Sequence, residues 1–187
     1  MRGRDLMNND WQKRFFESLK SVYKDKLEII EEKIDGKDTL NIILGDGSDD
    51  GALPYDCSVT VDDNEDNGTA CVELLMMFRD GIPAEKINGA IKLVSCFNSA
   101  ITIGFFGLIE DTGSVYFNCA FNVIAKDEVK YYTSAVRVFG ETARIAVVSV
   151  EEADEYLERF VSGETSLDEL IAEDVAIIQE IEPEDYE

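Results

Sequence analysis

One stretch carries oxygen-bearing side chains at the spacing that a calcium-binding loop uses. Asp63, Glu65 and Asn67 alternate and are followed by Gly68. A calcium loop of this kind also needs a bidentate carboxylate six residues past its glycine, and that position is Leu74. The residues on either side alternate as strands do, whereas helices flank a calcium loop of this type. We therefore predict a solvated hairpin turn here and no metal site.

The side chains that most often carry nucleophilic or acid–base catalysis are missing or poorly placed. The chain has no histidine, which excludes Ser-His and Cys-His pairs and imidazole metal ligands. Gly104-Phe105-Phe106-Gly107 lacks the lysine and serine of a phosphate-binding loop and lies inside a predicted strand. Four widely spaced cysteines sit in apolar patterns, which is typical of small buried side chains. They are Cys57, Cys71, Cys96 and Cys119. We predict no catalytic, cofactor-binding or metal-binding residues.

The net charge is strongly negative. Forty acidic and 17 basic residues give −23. Such a chain repels phosphate groups, so we predict that it binds neither nucleic acid nor an anionic membrane. Two interpretations of the acidity stay open: a well-solvated surface, and an acidic face that recruits a basic partner. No apolar run approaches the roughly 20 residues of a membrane span, and no apolar signal region follows Met1–Asp5. We therefore predict a cytoplasmic location.

The elements that must position these residues are clearest over Pro83–Ile124. The proline suits a first helical position, and apolar residues then recur at helical spacing up to Phe97. The period next changes to two, which predicts strands over Gly104–Ile109 and Val115–Val123. Gly113 supplies the glycine that the connecting turn needs.

A long helix and three strands are predicted before this stretch. Residues 1–9 are expected to be flexible, and the helix begins at Trp11 and ends near Gly36. Alternation then predicts strands within Leu40–Leu44, Tyr55–Asp62 and Ala70–Phe78. The short polar connections between them predict an antiparallel meander.

A further helix with a broad apolar surface is predicted after Asp127. Ser149 and Glu152 match a capping box, so a second helical segment is predicted to begin there. A short helix then starts at Ser166 or the residue before it. Residues 163–187 form an acidic C-terminal extension that we expect to be marginally stable.

The broad apolar helix surface and the small residues Gly89 and Ala90 together predict a homodimer. A glycine within a helix costs about 1 kcal/mol relative to alanine. A tight crossing against another helix would offset the cost at Gly89, and a position that merely tolerates glycine is the alternative.

The order helix, three strands, helix, two strands, helix resembles the type III secretion chaperone-like fold, and within it the YbjN-type bacterial family. The residues that carry the resemblance are Val94–Asn98, Gly104–Leu108, Asp111–Gly113 and Val115–Phe117, followed by the helix Tyr132–Val147. The resemblance covers roughly residues 10–162. It implies an α+β fold with a convex, twisted, five-stranded antiparallel sheet flanked by helices, often dimeric and not enzymatic. The acidic secretion chaperones of this fold bind extended segments of partner proteins, and the long extension after Gly163 is a departure from them.

We therefore expect one α+β domain over residues 10–162 that binds another polypeptide, of basic character if the acidic surface takes part, and catalyses nothing. Leu75 and Met77 are the candidate contacts, because they give the third strand a second, partly apolar face and methionine adapts to varied partners. Burial of the same two residues under the N-terminal helix is the alternative. Two other function classes stay open: an acidic inhibitor or immunity-type protein that occupies a basic site on its target, and an enzyme using carboxylates or a lone cysteine.

Overall fold

The computed structural model describes residues 5–24, 28–34, 36–44, 55–64, 68–126 and 128–173. Within them the fold is α+β, with a six-stranded antiparallel sheet flanked by helices. The strands are β1 (Glu28–Ile34), β2 (Lys37–Leu44), β3 (Tyr55–Asn64), β4 (Thr69–Arg79), β5 (Phe105–Ile109) and β6 (Ser114–Ile124). The helices are α1 (Asp5–Tyr23), α2 (Ile87–Ala100), α3 (Val129–Ser162) and α4 (Leu167–Ala172). The strand order is β1-β2-β3-β4-β6-β5, so β1 and β5 are the edge strands.

The prediction of five strands is wrong, because β1 lies where the N-terminal helix was expected to continue. The helix instead begins at Asp5 and ends at Tyr23. Three isoleucines in β1 favour a strand, since their branched side chains suit a pleated surface. Gly36 has a φ of 82°, and Ile34 pairs with Lys37, so the chain turns back there as a hairpin.

The prediction of a second helical start at Ser149 is also wrong. One continuous helix, α3, runs from Val129 to Ser162. The Ser149 hydroxyl donates to the Ile145 carbonyl at 2.8 Å inside this helix, which a helix interior tolerates. The helix ends at Gly163, where φ is 81°.

The remaining helices largely agree with those predicted from the sequence. A short 3₁₀ turn, Ala84–Lys86, separates Pro83 from α2, so the proline stands before the helical residues and not among them. The predicted short helix is present as α4. Its N-cap is Ser166, whose hydroxyl accepts from the Glu169 backbone while the Glu169 side chain accepts from the Ser166 backbone. The last residues of the predicted extension, 174–187, lie outside the described residues.

The contacts divide the chain into two compact units, whose limits fall within β4, β6 and α3. The first unit is Met1–Leu75 with Ala120–Ala143. Its core holds Trp11, which stacks on Phe15 at 5.3 Å between ring centroids and lies 5.9 Å from Tyr132.

The second unit is Met76–Cys119 with Arg144–Glu187. Its core is an aromatic cluster centred on Phe106. The Phe106 ring contacts Phe117, Phe97 and Phe78 at centroid distances of 5.1, 5.5 and 5.8 Å. These contacts join strands β4, β5 and β6 to helix α2.

Gly89 lies at a close approach between α2 and α3, which was one of the two predicted explanations. A Cβ atom at this position would collide with the ring of Phe160. Lys86 strengthens the same contact, since its Nζ donates to the Phe160 and Val161 carbonyls at 2.8 Å each. A lysine at these carbonyls suits the negative end of the α3 dipole. Ala90 is fully buried, so both small residues are accounted for within the chain, and the homodimer stays a prediction.

Candidate polypeptide-binding surface

Leu75 and Met77 alternate on β4 with the fully buried Leu74 and Met76. Successive side chains of a strand point to opposite faces of the sheet. Leu75 and Met77 therefore lie on the face opposite the core, and both are partly exposed. Because both residues are half-buried, burial under the N-terminal helix stays the predicted alternative.

The two faces of the second unit can be assigned from its aromatic contacts. The Phe106 ring contacts the rings of Phe78 and Phe117, so the three residues share the core face. Met77 precedes Phe78 and therefore lies on the opposite face. Phe105 and Tyr116 precede Phe106 and Phe117 in the same way, and their own rings meet edge to face at 6.2 Å.

We call the residues Met77, Phe105, Ile109 and Tyr116 the open face. Phe105 is 47% exposed and Ile109 is 43% exposed, although both are large apolar residues. Tyr116 pairs across the hairpin with Gly107, and its ring occupies the space that a side chain at Gly107 would fill. Leu75 lies on the same face of β4 but in the other unit, so the open face is defined without it.

Sequence reasoning missed Phe105, Ile109 and Tyr116 as surface residues. Every residue of β5 is apolar or glycine, so alternation could separate two faces without indicating which one is buried. The polar positions Ser114 and Asn118 on β6 mark the outer face, and Tyr116 lies between them. With the pairing of β5 and β6, that signal would have identified the exposed side of the hairpin.

Acidic side chains border the open face. Glu110 and Asp111 follow Ile109 in the turn, Asp80 follows β4, and all three are exposed. The nearest basic residue along β4, Arg79, is engaged by the Asp154 carboxylate and by Glu158, with 2.7 Å between Nη1 and Oε2. Burial lowers the pKa of Arg79, but the hydrogen bonds to these two carboxylates outweigh it and raise the pKa above its ordinary value.

The backbone edge of β5 is closed by a side chain of α2. The Asn98 Nδ2 donates to the Phe106 carbonyl at 2.9 Å, and the Phe106 N–H donates to the Asn98 Oδ1 at 2.7 Å. Both backbone groups of Phe106 are thus paired away from β6. A partner strand cannot pair at Phe106 without displacing this amide, which leaves the side chains of the open face as the accessible part of the hairpin.

The positions of the four cysteines suit side chains that pack in the interior. Cys57 and Cys119 are buried and Cys71 and Cys96 are half-buried, and none of these four side chains forms a disulfide. Burial raises the pKa of the Cys71 thiol, and the carboxylates of Glu73 and Asp62 raise it further. A raised pKa lowers the fraction of nucleophilic thiolate at neutral pH.

The described residues contain neither a candidate metal-binding cluster nor a candidate membrane-spanning helix. In the described part of the chain, no group of three or more histidine, cysteine, aspartate or glutamate residues could hold a metal ion. Asp63 lies in β3, so the predicted strand flank is confirmed, while Glu65 and Asn67 lie outside the described residues. None of the helices built from the described residues has the length and apolarity to cross a membrane.

Comparisons with known proteins give no relative from which a function could be transferred. No protein-family model, no curated protein and no solved structure matches the chain. What this protein binds must therefore be argued from its own surface.

Proposed function

We propose that this protein is a non-enzymatic polypeptide-binding module with a chaperone-like or regulatory role. The observation that carries the proposal is the exposure of Phe105 and Ile109 on a sheet whose opposite face already supplies the core. Contiguous exposed apolar patches mark interaction sites, whereas single scattered apolar residues are normal on protein surfaces.

The open face suits an extended segment with apolar side chains at alternate positions. Phe105 and Tyr116 provide two aromatic surfaces, and aromatic residues are frequent anchors at interfaces. Met77 adds an unbranched side chain that adapts to differently shaped partners. The exposed carboxylates of Glu110, Asp111 and Asp80 favour basic residues beside those apolar positions.

The finer fold assignment is part of the same proposal. The element order from α1 to α3 supports a likeness to the type III secretion chaperone-like fold and the YbjN-type family, and β1 is an addition to the five strands of that fold. A cytoplasmic location and a homodimer follow from this likeness and are proposed with it. We propose Leu75, which lies in the first unit, as a separate contact with the partner.

The net charge of −23 supports one competing function, an acidic inhibitor that occupies a basic site on its target. The two functions differ in what carries the affinity. An inhibitor of that kind depends on carboxylates and loses affinity steeply with salt. A polypeptide-binding module depends on the aromatic anchors and retains part of its affinity in high salt.

Selection from a library of random 12-residue peptides tests the proposal. We expect selected peptides with alternating apolar residues, and a loss of affinity of about tenfold or more for Phe105→Asp, since the substitution places a charge among apolar contacts. Val129→Asp is the matched control, because Val129 is 79% exposed and lies at the first turn of α3, where an acidic residue is tolerated. Equal affinity of the wild type and Phe105→Asp would refute the open face as the binding surface.

A further inference from the structure

We propose that the outer edge of β1 binds a second kind of segment, an extended basic stretch of a partner protein that adds to the sheet as a seventh strand. This inference does not depend on the open face. It concerns a different strand, in the first of the two units, and a contact made by the backbone and not by aromatic side chains.

Within the part of the chain that the structure describes, β1 is paired along one side only. It pairs with β2 from Glu28↔Ile43 to Ile34↔Lys37, and the order of the described strands ends at β1. Every residue of β1 is exposed except Ile29, which is half-buried. An edge strand with both faces in solvent can accept a new strand without displacing any side chain that packs in the core.

The register shows which backbone groups face outward. Ile34 and Lys37 flank a two-residue turn, and such flanking residues exchange hydrogen bonds with each other. In an antiparallel pair the bonded and non-bonded positions alternate. The N–H and C=O groups of Ile29, Glu31 and Lys33 therefore point away from β2, toward an added strand.

The opposite edge of the sheet is occupied at its centre. At the centre of β5, both outward-facing backbone groups of Phe106 are bonded to the Asn98 side chain. In β1, the side-chain interactions of Glu31 and Lys33 are ion pairs with Lys20 and Asp38. These pairs occupy side-chain atoms and leave the backbone edge to a partner.

Charge selects the occupant. Residues 28–38 contain five acidic and two basic residues, and the whole chain carries −23. A second copy of this chain would place the same negative strand directly against β1, so pairing of two β1 strands is opposed by electrostatic repulsion between their side chains. A segment with lysine or arginine at alternate positions is attracted, and its apolar residues can cover Ile30 and Ile34, which are 45% and 44% exposed.

A nonapeptide of alternating lysine and valine serves as the probe, with amide hydrogen exchange of the full-length protein as the readout. We expect slower exchange at Ile29, Glu31 and Lys33. We also expect the affinity to fall about tenfold when the peptide is N-methylated along the edge that faces β1, since one or two hydrogen bonds are lost. N-methylation along the opposite edge should leave the affinity unchanged.

Two charge-reversal variants test whether the probe peptide binds at β1 or is attracted only by the overall negative charge of the protein. Glu28→Lys changes β1, whereas Glu151→Lys makes the same change in net charge on an exposed position of α3. We expect only Glu28→Lys to weaken binding of the probe. Equal weakening by both variants, no protection of the β1 amides at millimolar peptide, or indifference to both N-methylation patterns would each overturn the proposal. Phe105→Asp, which disrupts the open face, should leave the affinity of β1 for the probe peptide unchanged.

Discussion

The two edge strands of the sheet, β1 and β5, are protected in different ways. β1 is charged, exposed on both faces and bordered by ion pairs to Lys20 and Asp38. β5 has no charged residue, but Phe106 fixes one of its faces in the core and Asn98 occupies the centre of its backbone edge. Unprotected edges tend to pair with other chains, and charge and coverage are two common ways to prevent it.

The two exposed edge strands therefore suit different kinds of contact. On β5 the backbone is closed at Phe106 and apolar side chains are presented, which suits recognition by side-chain contacts. On β1 the side chains are mostly charged and the backbone is open, which suits pairing with a strand of opposite charge.

The largest expected effect is a difference in stability loss between substitutions in β5, which is anchored in the core, and in β1, which is not. Phe106→Ala should lower the free energy of unfolding by about 3–5 kcal/mol, because it removes a buried ring and leaves a cavity among Phe78, Phe97 and Phe117. Ile30→Ala on β1 should change it by less than about 1 kcal/mol, since Ile30 is exposed. Urea unfolding of the two variants measures both values, and similar losses would show that β1 is as firmly packed as β5.

A smaller effect is expected when the closed edge of β5 is opened. Asn98→Ala should cost about 1–2 kcal/mol, because the Phe106 N–H and carbonyl both lose their partner. It should also increase self-association through the exposed edge, measured by light scattering over a range of protein concentrations.

Two further variants serve as controls. One tests the effect of a substitution elsewhere on α2, and the other separates the donor from the acceptor of the Asn98 side chain. Ser99→Ala alters a neighbouring exposed residue that bonds within α2, so it should leave association unchanged. Asn98→Asp keeps the acceptor for the Phe106 N–H and loses the donor. Its stability and its self-association should therefore lie between those of Asn98→Ala and the wild type. An Asn98→Ala protein that stays as stable and as dispersed as the wild type would show that the amide does not protect the edge.

The smallest effect concerns the charges that border β1. Lys20→Ala should lower the free energy of unfolding by less than about 1 kcal/mol, since both partners of the Lys20–Glu31 pair are substantially exposed. The difference from the wild type should shrink in high salt. Lys13→Ala, on the exposed side of the same helix, is the control, and a salt-independent loss at Lys20 alone would point to packing and not to charge.

The sequence predicted the central part of the fold well because its periods are clean. Buried residues alternate along β4 and β6 as expected, and the helix between them is present. The segment that became β1 was misjudged because its isoleucines are compatible with a continued helical stripe. Only the hairpin with Lys37, a tertiary pairing, decides between helix and strand there.

The candidate surface was predictable only in part. Leu75 and Met77 stand out because they break an otherwise polar alternation on β4. β5 is apolar on both faces, so its exposed side depends on which face packs on α2. That packing is a tertiary contact, which the local sequence pattern does not specify. The amide of Asn98 left no sequence signal, since an asparagine near a helix end has many common roles.

Site-specific photocrosslinking in living cells tests the central claim, that the open face binds a polypeptide, most directly. A benzophenone side chain is placed at position 105, and in a second protein at position 129, which is exposed at the start of α3. We predict a covalent adduct with a defined protein from position 105, reduced when Met77→Asp is added, and none of that adduct from position 129. Absence of any protein adduct from position 105, or the same adducts from both positions, would contradict the account.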